Sequence, residues 1–247
     1  MTRPWPYPRA VAHRGGGALA PENTLAAFEV GARHGYKMAE FDVKLSADDV
    51  AFLLHDDTVD RTSDGHGAAA SLTYEAIARL DAGSWFDARF AGQRMPTLAH
   101  VARTVDALGM LVNIEIKPSP GREARTGELV AGEAARLWAG RTPALLSSFS
   151  EAALEAARLS APHLPRGLLF TRLPSDWRER AKRLECVSLH LEHRALDAAL
   201  VAEIKGAGLR IMAYTVNDLA RARALADWGV DAICTDRIDD IHPDTYA

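Results

Sequence analysis

Short apolar runs alternate with amphipathic stretches along almost the whole chain, and this strand-then-helix rhythm restricts the fold more than any other feature. The runs are Arg9–His13, Lys37–Asp42, Leu111–Ile116, Ala144–Ser148, Arg166–Phe170, Cys186–Leu191, Arg210–Tyr214 and Val230–Thr235, eight candidate strands. The stretches between them begin with capping residues. Asn23 precedes LAAFEVGARH, which sets Leu25, Phe28 and Ala32 on one face and has Gly35 just past its end. Thr97, Ser150, Ser175, Asp197 and Asn217 stand at the starts of five more helices. No self-similar sequence repeat accompanies the rhythm. Eight strands joined by helices in 247 residues predict an α/β fold, a closed parallel (β/α)8 TIM barrel, which typically takes about 250 residues. An open doubly wound sheet is the runner-up, but it would carry a Gly-rich dinucleotide turn, and GxGxxG is absent.

The rhythm breaks once. Between Val43 and Pro96 lie about fifty residues without a complete βα unit. KLSADDVAFLLHD reads as a strand, a polar turn at Ala47–Asp49 and a returning strand. DDTVDRTSDGHG is rich in turn residues, and SLTYEAIARL is one short helix. Residues 44–95 are thus expected to form a small insertion after the second strand, within a single domain spanning residues 1–247. A βα connection leaves the C-terminal face of a barrel, where barrel enzymes keep their sites, and a long irregular loop in a compact domain is usually functional. Its GSWF segment, Gly83–Phe86, offers either an aromatic wall or ordinary packing.

Charge narrows the partners. The net charge of −4 is spread over both signs, with no basic run, which argues against nucleic-acid and anionic-membrane partners. Any bound anion must then be held by a few local cations. The first residues, MTRPWPYPRAVAHRG, lack the apolar core of a signal peptide, and no stretch approaches the ~18 apolar residues of a membrane helix. A cytoplasmic location is expected. Cys186 and Cys234 both sit in apolar runs, CVSLHL and DAICTD, and read as reduced core thiols; their spacing suits neither a zinc site nor a disulfide framework.

The chemistry is signalled by polar residues on strands that should be apolar. The first strand ends in His13-Arg14, the second carries Glu40 and Asp42, and the third carries Glu115 and Lys117. Residues two apart share one face of a strand, so the inward face brings three carboxylates to the barrel mouth. Two carboxylates ~4 Å apart repel by ~4 kcal/mol at an effective dielectric of ~20. Three such groups need protons or a cation, and all-oxygen ligation suits a hard ion, Mg2+ or Ca2+. A dication leaves one negative charge, Arg14 and Lys117 turn it to one positive, and a singly charged phosphodiester closes the balance. Each pair alone reads as a structural ion pair; five charged residues on three consecutive strands read as a site. His13 ends the first strand, and His55 ends the returning strand of the insertion. Two histidines beside such a cluster suit acid–base work, each contributing ~10²–10⁴-fold. His190 ends the sixth strand at the same rim, in reach of a substrate.

AHRGGGALAPENTLAAFEVG, AEFDVKLSADDVAFLLHDDTVDRTSDG and NIEIKP resemble the successive signatures of glycerophosphodiester phosphodiesterases. The likeness runs from Val11 to about Asp236. LPRGLLF, CVSLHL, GLRIMAYTVN and WGVDAICTD resemble the later strands of the short bacterial cytosolic members, such as the enzyme encoded with a glycerol-3-phosphate uptake system. The resemblance implies hydrolysis of glycerophosphodiesters to glycerol 3-phosphate and an alcohol. It implies an acid–base pair in His13 and His55, metal ligands in Glu40, Asp42 and Glu115, and phosphate contacts from Arg14 and Lys117. Asn23 of PENT has two readings, a helix cap or a residue that orients the site. Tyr214 stands where many members carry Trp, which touches the wall near the glycerol. The nucleophile is either water or the glycerol 2-hydroxyl. The rival readings are a phospholipase-type phosphodiesterase barrel and a non-catalytic phosphodiester-binding barrel.

Overall fold

The structure, a computed structural model, describes residues 5–245. It opens with β1 (Ala10–Ala12), α1 (Leu25–Arg33) and β2 (Met38–Leu45). After a turn come β3 (Ala51–Leu53) and, in the irregular segment beyond, α2 (Tyr74–Ile77). The regular alternation resumes with α3 (Leu98–Ala107), β4 (Leu111–Ile116), α4 (Glu123–Leu137), β5 (Leu145–Ser148) and α5 (Glu151–Ser160). It continues through β6 (Arg166–Phe170), α6 (Trp177–Arg183), β7 (Ser188–Glu192) and α7 (Ala198–Gly206). It ends with β8 (Arg210–Tyr214), α8 (Leu219–Asp227) and β9 (Ala232–Thr235).

β4 lies parallel beside β2, and from β5 to β9 each strand lies parallel beside its predecessor; β1 pairs with β9 and closes on β2 through Ala12 and Ala39. Eight parallel strands close, with helices between them, into the expected (β/α)8 barrel. β3 is a ninth, antiparallel strand on the far half of β2, with Val43 opposite Leu53 and Leu45 opposite Ala51.

The two faces of each strand do different work. Outward residues of β2 and β4, Phe41, Val43, Ile114 and Ile116, are buried against Phe28 of α1, Val101 of α3 and Val130 of α4. Leu168, Leu189, Ile211 and Ile233 do the same beneath α6, α7 and α8. Each such side chain, fully buried, stabilises by about 1.5–3 kcal/mol. Inside the barrel, Val11, Met38, Leu145, Met212, Ala232 and Cys234 form a smaller cluster. The segment after β3 buries its own residues, Phe52, Leu54, Val59, Ile77, Ala82 and Met95. Lys44 anchors it: the buried ammonium donates to Asp57 Oδ1 at 2.8 Å and to the carbonyl of Lys117 at 3.2 Å.

Thr97, Ser150 and Asp197 cap α3, α5 and α7 as expected. Three caps move by one residue. α1 is capped by Thr24, not Asn23, because Asn23 has φ 60 whereas a cap that accepts the first helical N–H stands in extended backbone. Asp176 replaces Ser175 at α6, and Asp218 replaces Asn217 at α8, where its carboxylate accepts from Arg221 N. Among the described residues no helix is long and apolar enough to cross a membrane.

Candidate active site

After β1 the chain turns sharply through His13–Gly17, with positive φ at Arg14 (49°), Gly15 (91°) and Gly17 (54°). Gly15 N–H donates to the carbonyl of Glu40 at 3.1 Å, and Gly17 N–H to that of His13 at 2.9 Å. A Cβ on Gly17 would stand 2.2 Å from the carbonyl oxygen of Asp236, so this turn requires glycine there. The turn aims His13 and Arg14 into the barrel mouth. On β2 and β4 the register sets Glu40 beside Asn113 and Asp42 beside Glu115. The three carboxylates are buried, and each offers an oxygen within 4.8 Å of the other two.

Two cations sit among them. Lys117 Nζ lies 2.7 Å from Glu115 and 3.5 Å from Asp42. Arg14 Nε lies 3.6 Å from Asp42, while its backbone N–H donates to Glu40 Oε2 at 3.1 Å. His13 Nε2 is 3.8 Å from Glu40. The β2–β3 hairpin returns His55 to the same mouth. All eight residues singled out from the sequence, His13, Arg14, Glu40, Asp42, His55, Glu115, Lys117 and His190, line one cavity of about 210 Å³. His190 is almost fully buried there, 3.1 Å from Ser188 Oγ. A larger open hollow of about 1110 Å³ lies at the other end, where the strands begin, lined by Trp5, Tyr7 and Arg210 and by none of these carboxylates.

The family model described as the glycerophosphoryl diester phosphodiesterase family matches residues 13–240, nearly the full chain. The chain belongs to this family of glycerophosphoryl diester phosphodiesterases. It is thereby an enzyme of the phosphodiester-hydrolase class. It is 37% identical to a glycerophosphodiester phosphodiesterase of Caldanaerobacter subterraneus subsp. tengcongensis, over 92% of this chain and 93% of that one. It is similar in structure to a phosphodiesterase of Oleispira antarctica solved in complex with its product, sn-glycerol 3-phosphate. That likeness has a TM-score of 0.91 and 35% identity, covering 97% of this chain and 95% of the other. A glycerophosphodiester phosphodiesterase of Agrobacterium tumefaciens matches with a TM-score of 0.78 and 30% identity, covering 94% and 97%.

In this phosphodiesterase, burial raises the pKa of Glu40 and Glu115, and the charge on Asp42 raises both further. Asp42 itself is held below the usual range: burial opposes this, but Lys117 and Arg14 outweigh it. Burial disfavours the imidazolium of His13, yet the hydrogen bond to Asp236 and the charges of Glu40 and Asp236 raise its pKa overall. Burial lowers that of His55, and Arg14 and Lys117 lower it further against the pull of Asp42. Three desolvated carboxylates at such separations repel one another, and their all-oxygen donor set fits a hard dication. Glu40, Asp42 and Glu115 therefore fit a divalent metal ion.

Several groups that do not stand out in the sequence complete the site. Asp236 lies 2.6 Å from His13 Nδ1, and its other oxygen accepts from Asn217 Nδ2 at 2.9 Å. Asp56 lies 2.7 Å from His55 Nδ1. Arg61 donates to both Asp56 (2.6 Å) and Glu22 (2.7 Å), and Glu22 accepts from Arg14 at 2.6 Å. A chain of charged contacts thus links His55 to Arg14. Asn23 donates to Asp42 Oδ2 at 2.9 Å and accepts from Asp42 N at 3.2 Å, which leaves its orienting contact and removes its capping role. Trp85 packs edge-on against Phe86, and the aromatic wall of the cavity comes from Phe149 and Tyr214 instead, their ring centroids 6.0 Å apart. Asp236 had a signal: it follows the last strand as His13 follows the first, and a closed barrel sets those strands side by side.

Proposed function

We propose that this enzyme hydrolyses glycerophosphodiesters such as glycerophosphocholine and glycerophosphoethanolamine to sn-glycerol 3-phosphate and the free alcohol, using His13 and His55 as its acid–base pair. One observation carries the reading: three carboxylates, two cations and two histidines converge on a single cavity of about 210 Å³. Glu40, Asp42 and Glu115 would hold one Mg2+ or Ca2+. When bound, such an ion polarises the phosphoryl group and lowers the pKa of a coordinated oxygen.

This chain's own residues do the rest. Arg14 and Lys117 bind the non-bridging phosphoryl oxygens and stabilise the charge that builds on them. Asp42 holds both cations in place while Asn23 holds Asp42. Asp236 and Asp56 accept at Nδ1 of His13 and His55, so that each ring turns Nε2 to the cavity. One ring takes a proton from the attacking water or glycerol 2-hydroxyl, and the other returns one to the departing alcohol. Buried His190, with Phe149 and Tyr214, shapes the wall against which the substrate's carbon atoms pack. A cytoplasmic enzyme acting on dissolved diesters, without membrane or nucleic-acid partners, fits the mixed charge of the chain.

The test is release of glycerol 3-phosphate from glycerophosphocholine by the wild type and by His13→Asn, His55→Asn and Glu40→Gln, with and without EDTA. Each substitution should lower kcat by at least about 10²-fold, and EDTA should abolish turnover until Mg2+ or Ca2+ is restored. Near-wild-type rates in His13→Asn and Glu40→Gln would overturn the proposal.

A further inference from the structure

Beside the oxygen cluster lies a second group of donors with a different chemical character. His13, Glu40 and Cys234 each offer one ligand atom, and the three atoms lie within 4.8 Å of one another. They come from three adjoining strands. His13 follows β1, Glu40 is on β2, and Cys234 is on β9, aligned with Val11 of β1. Cys234 shares the inward face of β9 with Ala232, and its thiol is free and buried on the floor of the same cavity. His13 Nε2 already stands 3.8 Å from Glu40 Oε2.

From this geometry we infer that His13, Glu40 and Cys234 form a second metal site, selective for thiophilic dications such as Zn2+ and Cd2+, which overlaps the oxygen site at Glu40 and inhibits the enzyme when filled. Three features support it. A nitrogen, an oxygen and a sulfur donor suit a borderline or soft ion, whereas the neighbouring all-oxygen set suits a hard one. Tetrahedral zinc brings such donors to about 3.5 Å of one another, so side-chain rotation alone closes a gap of about an ångström. Asp236 accepts from Nδ1 of His13, the outer carboxylate that metal-binding histidines usually have, and so leaves Nε2 free as a ligand. On binding, the thiol releases its proton to solvent and forms an S–metal bond; no electrons are transferred.

The two sites share Glu40 and cannot both use it fully. An ion in the sulfur-containing site also takes Nε2 of His13 away from proton transfer. The binding half of the inference stands on geometry alone; the inhibition half rests on the roles proposed above for His13 and Glu40.

The experiment uses the full chain in excess Mg2+, titrated with Cd2+ and read by the ultraviolet thiolate-to-cadmium charge-transfer band. The wild type and Cys186→Ser should each gain one equivalent of the band, and Cys234→Ser and Cys234→Ala should gain none. His13→Ala should bind cadmium more than about tenfold more weakly, since loss even of an outer partner of a metal ligand costs about 10–100-fold. A second arm measures zinc inhibition of glycerol 3-phosphate release, each variant relative to its own uninhibited rate. The wild type should be at least about tenfold more sensitive than Cys234→Ser. A band that persists in both Cys234 variants, a wild type without one, or equal zinc sensitivity would overturn the inference. A chain that shows the cadmium band but hydrolyses no diester would instead overturn the proposed function and leave the metal site standing.

Discussion

Asp236 fixes which nitrogen of His13 faces the carboxylates, because an ionised carboxylate accepts and Nδ1 must then donate. Asp236→Asn keeps the shape but offers an N–H in place of an acceptor, which favours the other tautomer. It should lower kcat by about 10²–10⁴-fold with KM little moved, in steady-state kinetics on glycerophosphocholine; a change confined to KM would deny the positioning role. His190 governs a different property. Burial holds its pKa down to about 3, whereas an unfolded chain takes the proton near pH 6.5. Within that window the unfolded state binds more protons, so stability falls as pH drops, by up to about 4 kcal/mol. Above the window the ring contributes no pH dependence. His190→Gln should flatten this acid limb, seen as urea midpoints that change less than the wild type's between neutral pH and about pH 4. At this scale, residues whose charge contradicts their strand were legible: Glu40, Asp42, Glu115 and Lys117 stand out in apolar runs. Asp236, Asp56 and Arg61 did not, because each is an ordinary loop residue until the fold sets it against a partner.

α4 is the helix least marked in the sequence. It has no side-chain cap at Arg122, and Gly127 interrupts its small apolar face. Gly127 has a packing reason. A Cβ there would meet the carbonyl oxygen of Ala153 at 2.0 Å, because α4 and α5 approach backbone to backbone. Alanine gains about 1 kcal/mol of helix propensity over glycine, but a backbone atom cannot swing aside, and overpacking costs about 1–3 kcal/mol or more. Gly127→Ala should therefore lower the urea midpoint; a rise would mean that the helices separate at little cost. Strand and helix order was otherwise readable, since period-two and period-3.6 patterns are local. Cap positions slipped by one residue at α1, α6 and α8, where two capping residues stand in succession and only backbone geometry decides between them.

At the scale of the whole molecule, the site joins strands that are distant in sequence, and a bound dication should stabilise the barrel as one unit. Free ion at about 100 times its Kd adds about 2.7 kcal/mol, which for a chain of this size raises Tm by about 5–10 °C. Calorimetry with and without Mg2+ or Ca2+ should show the rise in the wild type and a smaller one in Glu40→Gln; an unmoved Tm would count against a hard-metal site. The closed barrel was legible because eight repeats of one alternation admit few architectures. The kinship of Cys234 with His13 and Glu40 was not, because sequence spacing says nothing of which strands meet at the seam. That seam has a consequence for synthesis. β1 is made before the other strands of the barrel, yet its ladder partner β9 and the carboxylate that orients His13 are made after all of them. A nascent chain therefore has no assembled catalytic centre until β9 has been made, and a product truncated before β9 should be inert however well its remaining strands associate.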